Sequence, residues 1–182
     1  DRPMARMLPA IATLDQHQER LREDPQAYRP ERCCHCGMGG LHRHGYYQRN
    51  APRGEGLAFS LDTLLIPRFY CPKCRGTCSR LPGCLAPRRQ YWWGSQQAVL
   101  AGLIGGQSIR AVARQRWPSR RTIGRWWAWL QGQFDGYSLH LRSRFAQLGR
   151  AVDWKAFWSL CFEHMSLSGA MGWLDQAGVS VP

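Results

Sequence analysis

The sequence predicts an α+β protein, with strands in the first half and helices in the second. Three observations carry this expectation. Cys33 and Cys36 in RCCHCG and Cys71 and Cys74 in YCPKCR form two Cys-x2-Cys pairs on either side of a strand-rich stretch. Beyond Cys84 the apolar residues recur at helical rather than alternating spacing. Serine stands immediately before two such helical runs, at Ser108 and Ser119, where an N-cap belongs. Together these describe a small β-hairpin module of zinc-ribbon type, followed by an all-α helix-turn-helix and C-terminal helices.

Residues 11–23, IATLDQHQERLRE, read as a short amphipathic helix with Ile11, Leu14 and Leu21 as contacts, ended by Asp24-Pro25. A linker runs on to Pro30, so residues 1–30 form an N-terminal helix and linker. Residues 31–86 hold the β module. LHRHGYYQR predicts one strand, RGEG at Arg53–Gly56 a turn, and LAFSLDTLLIPRFY one longer or two shorter strands. A hairpin here returns Cys71–Cys74 to the side of Cys33–Cys36.

Pro87 marks the next boundary. In YWWGSQQAVLAGLIG, residues 91–105, Val99, Leu100, Leu103 and Ile104 fall at helical spacing. Ser108 caps IRAVARQ, Arg116-Trp117-Pro118 breaks that helix, and Ser119 caps RRTIGRWWAWLQ with Ile123, Trp127 and Leu130 on one face. A tightly joined helix pair after a first helix describes a helix-turn-helix over residues 87–131. In residues 132–182, helices are expected over 137–149 and 152–165, with a short one near 167–176. Trp154, Phe157, Trp158, Cys161 and Phe162 make an apolar face, read as a dimerisation or partner-docking element.

Cys33, Cys36, Cys71 and Cys74 are the expected metal ligands, because two Cys-x2-Cys turns complete a closed tetrahedral site. Such a site has no position left for substrate, which points to one structural Zn2+ and to a binding module. Iron is the alternative metal, though four thiolates in this pattern usually hold zinc. Cys34 or His35 replacing a member of the first pair is the alternative ligand set. A second site built from Cys78 and Cys84 with His42 or His44 is not expected, and Cys161 reads as packing. A β module of this size needs such a cross-link to supplement its small core.

At 182 residues the chain holds one ordinary domain or two or three small ones. It has no apolar run long enough for a membrane span. The N-terminus lacks the charged-then-apolar order of a signal peptide. With the Cys-x2-Cys spacing, this predicts reduced thiols and a cytoplasmic, nucleoid-associated protein.

The net charge of +13 is unevenly placed: residues 1–28 carry −1, residues 29–131 carry +14 and residues 132–182 carry none. Only Glu31, Glu55 and Asp62 are acidic in the middle segment, and nearly all the positive charge there is arginine. A high-GC codon bias explains arginine over lysine. It does not explain the loss of acids, whereas contact with phosphate does.

The order of cysteine module, IPRFYCPKC, and three helices ending in PSRRTIGRWW resembles the front end of bacterial insertion-sequence transposases. It also looks like short, uncharacterised bacterial proteins with the same two parts. The resemblance covers residues 31–131 and implies a grip on duplex DNA such as a transposon end. Val112-Ala113, Thr122-Ile123 and Arg125-Trp126 match the usual helix-turn-helix pattern, while Arg116, Trp117 and Pro118 depart from it in the turn.

On that reading Arg120, Arg121, Thr122 and Arg125 face base edges, because the first two turns of a recognition helix enter the major groove. Arg110, Arg114, Arg88 and Arg89 are phosphate clamps.

A transposase also needs a carboxylate-bearing, two-metal core. After the helix-turn-helix the only acids are Asp135, Asp153, Glu163 and Asp175, and 29 residues follow Asp153. No complete catalytic domain is expected, so a separate transposase or regulatory protein is a candidate partner, beside a second copy of this chain. Two other readings stay open. One is a zinc-ribbon protein-interaction adaptor that binds nucleic acid nonspecifically. The other is a single-strand or RNA binder that stacks bases on Trp92, Trp93, Trp126, Trp127 and Trp129.

Overall fold

The computed structural model describes residues 6–52, 63–87, 90–116 and 118–182. The expected turn at Arg53–Gly56, the phosphate-clamp candidates Arg88 and Arg89, and Trp117 lie outside the described residues. Within them the chain is α+β: two small sheets in the first half, and six of the seven α-helices after them.

The chain opens with β1 (Met7–Leu8) and α1 (Leu14–Glu23). Thr13 and Gln16 close a capping box on α1: the Thr13 hydroxyl accepts from the Gln16 amide, and the Gln16 side chain accepts from the Thr13 amide. A short 3-10 turn, Pro25–Tyr28, follows, with the Asp24 carboxylate accepting from the Gln26 amide.

Strands β2 (His42–Asn50) and β3 (Thr63–Tyr70) form an antiparallel hairpin whose register runs from His42 opposite Tyr70 to Asn50 opposite Thr63. The register shifts between Arg43 and Tyr46, where Gly45 takes a φ of 71°. Glycine tolerates that left-handed conformation, which lets the strand bulge. β4 (Thr77–Cys78) pairs only with Phe69 and Tyr70. Pro67 stands opposite Tyr46 in β3, on a stretch of the strand whose other side has no ladder partner among the described residues, the edge position that proline tolerates. β5 (Leu81–Pro82) pairs in parallel with β1.

Three clusters form the core. Ile11, Tyr28, Cys33, Leu41, Phe69, Cys71 and Cys78 pack beneath the cysteine turns, and Leu64, Ile66, Leu81 and Leu85 fill the space beside the hairpin. The third and largest belongs to the helices α2 (Trp93–Ile104), α3 (Ile109–Gln115), α4 (Arg120–Gly132), α5 (Phe134–Arg144), α6 (Trp154–His164) and α7 (Leu167–Gln176).

Helix α2 is the hub of this cluster, packed against α3, α4, α6 and α7. Its sequence, WGSQQAVLAGLI, carries no charge, which suits a helix with neighbours on most sides. The face expected on residues 152–165 is spent inside this core: Phe157, Trp158 and Cys161 are fully buried. What remains outside is Leu139, Val152 and Trp173. No helix among the described residues is long and apolar enough to cross a membrane.

Two polar clasps tie distant parts of the chain together, one between the two halves and one within the first. The Asp175 carboxylate of α7 accepts from the Arg6 and Met7 amides at 3.0 and 2.7 Å, although burial raises its pKa against those donors. His17, 1% exposed, joins α1 to the hairpin. Its Nε2 lies 3.1 Å from the Leu65 carbonyl oxygen and its Nδ1 2.5 Å from the Tyr28 hydroxyl. A carbonyl only accepts, so Nε2 donates and Nδ1 receives the Tyr28 proton.

Burial lowers the His17 pKa, while the bond to Leu65 opposes that shift. The unfolded chain then binds the extra proton more readily than the folded one, so His17 contributes stability above its ordinary value of 6.5 that is lost in acid. The stability gap between the wild type and His17→Gln should narrow as pH falls from about 7.5 to about 5.5. Paired denaturant melts at each pH measure it, with any acid effect common to both proteins cancelling.

Candidate metal centre and the basic helix pair

The two cysteine turns are built alike. In the first, the Cys33 amide donates to the Met38 carbonyl at 2.8 Å and the Gly37 amide to the Cys33 carbonyl at 2.9 Å. In the second, the Cys71 amide donates to the Gly76 carbonyl and the Arg75 amide to the Cys71 carbonyl, both at 2.9 Å. Each turn needs a left-handed residue at the same place, which is Gly37 at φ 71° in one and Arg75 at φ 60° in the other. For a residue with a side chain this conformation costs about 1–2 kcal/mol.

The hairpin register places the turns face to face. Cys33, Cys36, Cys71 and Cys74 bring their four sulfurs within 4.8 Å of one another, with Cys33 and Cys71 buried and Cys36 and Cys74 exposed. The Cys33 and Cys74 sulfurs are 3.5 Å apart, and the Cys36 and Cys71 sulfurs 3.6 Å apart. A tetrahedral ion with bonds of about 2.3 Å to sulfur sets edges of about 3.8 Å, whereas a disulfide needs about 2.05 Å. The thiols thus stand at coordination spacing, and the cluster can hold a metal ion.

Backbone amides support the same chemistry. Burial works against a Cys33 anion, but N–H groups of His35 and Cys36 and the thiols of Cys74 and Cys78 donate to its sulfur, drawing it down to about 6. Cys74 goes the other way: the Gly76 amide favours its anion, but burial and the neighbouring thiols push it up to about 12. The backbone around Cys33 thus favours its thiolate, whereas Cys74 would give up its proton only to a bound ion. Cys84 and Cys161 are pushed by burial to about 11 and about 12, as befits packed, unreactive thiols.

A second group, unexpected from the sequence, lies alongside. Cys34 and His35 meet Cys78, while Cys84 packs in the cluster beside the hairpin and the His44 ring lies against Tyr70. The doublet Cys33-Cys34 in RCCHCG was the available signal, since neighbouring cysteines in one turn point in different directions.

The sequence-derived nucleic-acid residues fall on α3 and α4. Ser108 and Ser119 cap them, accepting from the Ala111 and Thr122 amides. The link between the helices is extended at Arg116, with φ −133° and ψ 155°. Arg110, Arg114, Arg120, Arg121 and Arg125 are all exposed, and among the described residues no carboxylate pairs with them. Arg110, Arg114 and Arg120 line, with Ala113, a groove of about 380 Å³ between the helices. Thr122 is half-buried, and its hydroxyl meets that of Ser119 at 3.1 Å. Trp93 and Trp126 are buried, so neither offers a ring face to a base; Trp92, Trp127 and Trp129 are half-buried.

An α+β protein with a four-thiolate metal-capable centre and an arginine-lined helix pair is the class these features define. The chain belongs to DUF6431, a family described as a domain of unknown function, whose model matches residues 33–126. That span begins at the first sulfur ligand and ends within α4. No curated protein and no solved structure was found to match the chain.

Because Cys36 and Cys74 are both raised in the metal-free state, each enters a metal complex by losing a proton near neutral pH. The logarithm of the metal association constant should therefore climb with pH between about 7 and about 8 with a slope of at least about 2. Competition titrations against a chromogenic chelator, with proton release followed in weak buffer, give the slope directly.

Proposed function

We propose that this is a duplex-DNA-binding protein of mobile-element, transposase-like type, in which one structural zinc ion braces the β module and α3–α4 act as a helix-turn-helix. The observation that carries this reading is the set of five exposed arginines, unpaired with any carboxylate among the described residues, gathered on two adjoining helices. Unpaired guanidinium groups repel one another, and a surface that concentrates them gains most from a polyanion.

The roles divide by position. Arg121 and Arg125 lie one turn apart on exposed α4, where a bidentate fork suits the O6 and N7 of guanine. Arg110, Arg114 and Arg120 line the groove and suit a backbone phosphate, which positions the protein without reading sequence. The ligand chemistry supports zinc, since four thiolates in a closed tetrahedron suit a d10 ion whose binding supplies folding energy, with iron the alternative. The resemblance of residues 31–131 to the front of insertion-sequence transposases makes a transposon end the candidate target, with catalysis left to a separate protein.

Selection from a random duplex pool by the zinc-loaded protein tests this. An enriched motif is expected, and Arg121→Ala or Arg125→Ala should each relax one position of it at a cost of about 1–3 kcal/mol. Arg110→Ala and Arg114→Ala should instead weaken all duplexes alike and reduce the salt slope by about 1 each. No enriched motif, with the same salt slope in all four variants, would sink the proposal and favour a protein-docking adaptor.

A further inference from the structure

We propose that Cys34, His35 and Cys78 form a second metal site, for a soft divalent ion such as zinc, adjoining the four-thiolate centre. Their donor atoms lie within 4.8 Å of one another, and none of the three belongs to the first set. Two thiolates and an imidazole are a donor set that a d10 ion favours.

The backbone explains how one turn serves two ions. Cys34 and His35 are the two residues between Cys33 and Cys36, so the turn that aims the outer pair at the first ion leaves the inner pair facing β4. Cys78 stands there, buried at the end of β4. The Cys34 amide donates to the Cys78 sulfur at 3.0 Å, an N–H···S bond of the kind that supports a ligating thiolate.

His35 is held by a second feature. A Cβ at residue 76 would stand 2.6 Å from His35 Cδ2 and 3.2 Å from Nε2, and the φ of Gly76 is not positive. Space for the imidazole ring, and not backbone conformation, is therefore what a glycine supplies there. The ring's Nε2 lies 3.3 Å from the Thr77 carbonyl oxygen, beside Cys78.

The sulfurs of Cys34 and Cys78 are 2.7 Å apart, shorter than the edge of about 3.8 Å that a shared tetrahedral ion requires. Cys34 is exposed and opens that edge by rotating its side chain. Cys33 Sγ lies 3.7 Å from Cys78 Sγ, one tetrahedral edge away, which places its thiolate to bridge the two ions as the fourth donor. With Cys34 and His35 both exposed, this ion is the more easily removed of the two.

Native mass spectrometry of the full chain, prepared under a phosphine reductant and equilibrated with excess zinc, counts the ions. The proposal expects two per chain in the wild type, with the second lost first to a chelator. Cys34→Ala and His35→Ala change exposed residues and should each retain one ion and the wild-type helical circular dichroism. One ion in the wild type overturns the proposal, as does a second ion that survives both substitutions. So does loss of both ions from either variant, which would merge the seven side chains into a single centre. A Cys34–Cys78 disulfide found by peptide mapping of the zinc-equilibrated, reduced protein overturns it as well. Because ions are counted and no DNA is present, failure here is separable from failure of the DNA-binding reading.

Discussion

The pairing of β2 with β3 is the constraint on which the rest of the site depends. His42 opposite Tyr70 places Leu41 and Cys71 at the same end of the hairpin, and each strand there meets a cysteine turn. A one-residue slip would move the buried Leu64 and Ile66 off the face that packs against Leu81 and Leu85, so apolar burial protects the register. The register gathers four sulfurs, and an ion shared by them would tie the open end of the hairpin shut.

A different logic organises the second half. Helix α2 is enclosed on most sides, and the helices around it divide into two groups. On one, α3 and α4 carry the exposed arginines; on another, α6 and α7 bury Phe157, Trp158, Met171 and Leu174. The charged helices are thus free to present their polar faces because their apolar faces, Val112 and Ile123 with Leu130, are already committed to the core. Packing of the sparsely charged C-terminal helices supports a surface whose own charges are mutually repulsive.

Much of this was legible in the residues. Ser108, Ser119, Asp153 and Ser166 each cap a helix, accepting from an amide three residues on, so those starts were written in single side chains. The metal-capable cluster of Cys33, Cys36, Cys71 and Cys74 was legible in the same way, since the spacing within each turn brings its two sulfurs to one side and the hairpin between them brings the turns together. The partnership of Cys34, His35 and Cys78 was not. It depends on how β4 folds back onto β3, a pairing of only two residues that no period in the sequence announces. Nor was the fate of the tryptophans: helical phase separates Trp126 from Trp127, but which of them turns inward depends on where α2 lies. Apolar patterning over residues 152–165 reports burial without naming the partner, which for Phe157 and Trp158 is the same chain.

The clasp at Asp175 ties the order of synthesis to the order of folding. The carboxylate that receives the Met7 amide is added 168 residues after it. At about 5–20 residues per second, that amounts to roughly 10–30 s of elongation. β5, which pairs with β1, is complete well before α7, whose Asp175 arrives to close the joint. The hairpin and cysteine turns, whose partners are close in the chain, have all their residues well before that joint can close.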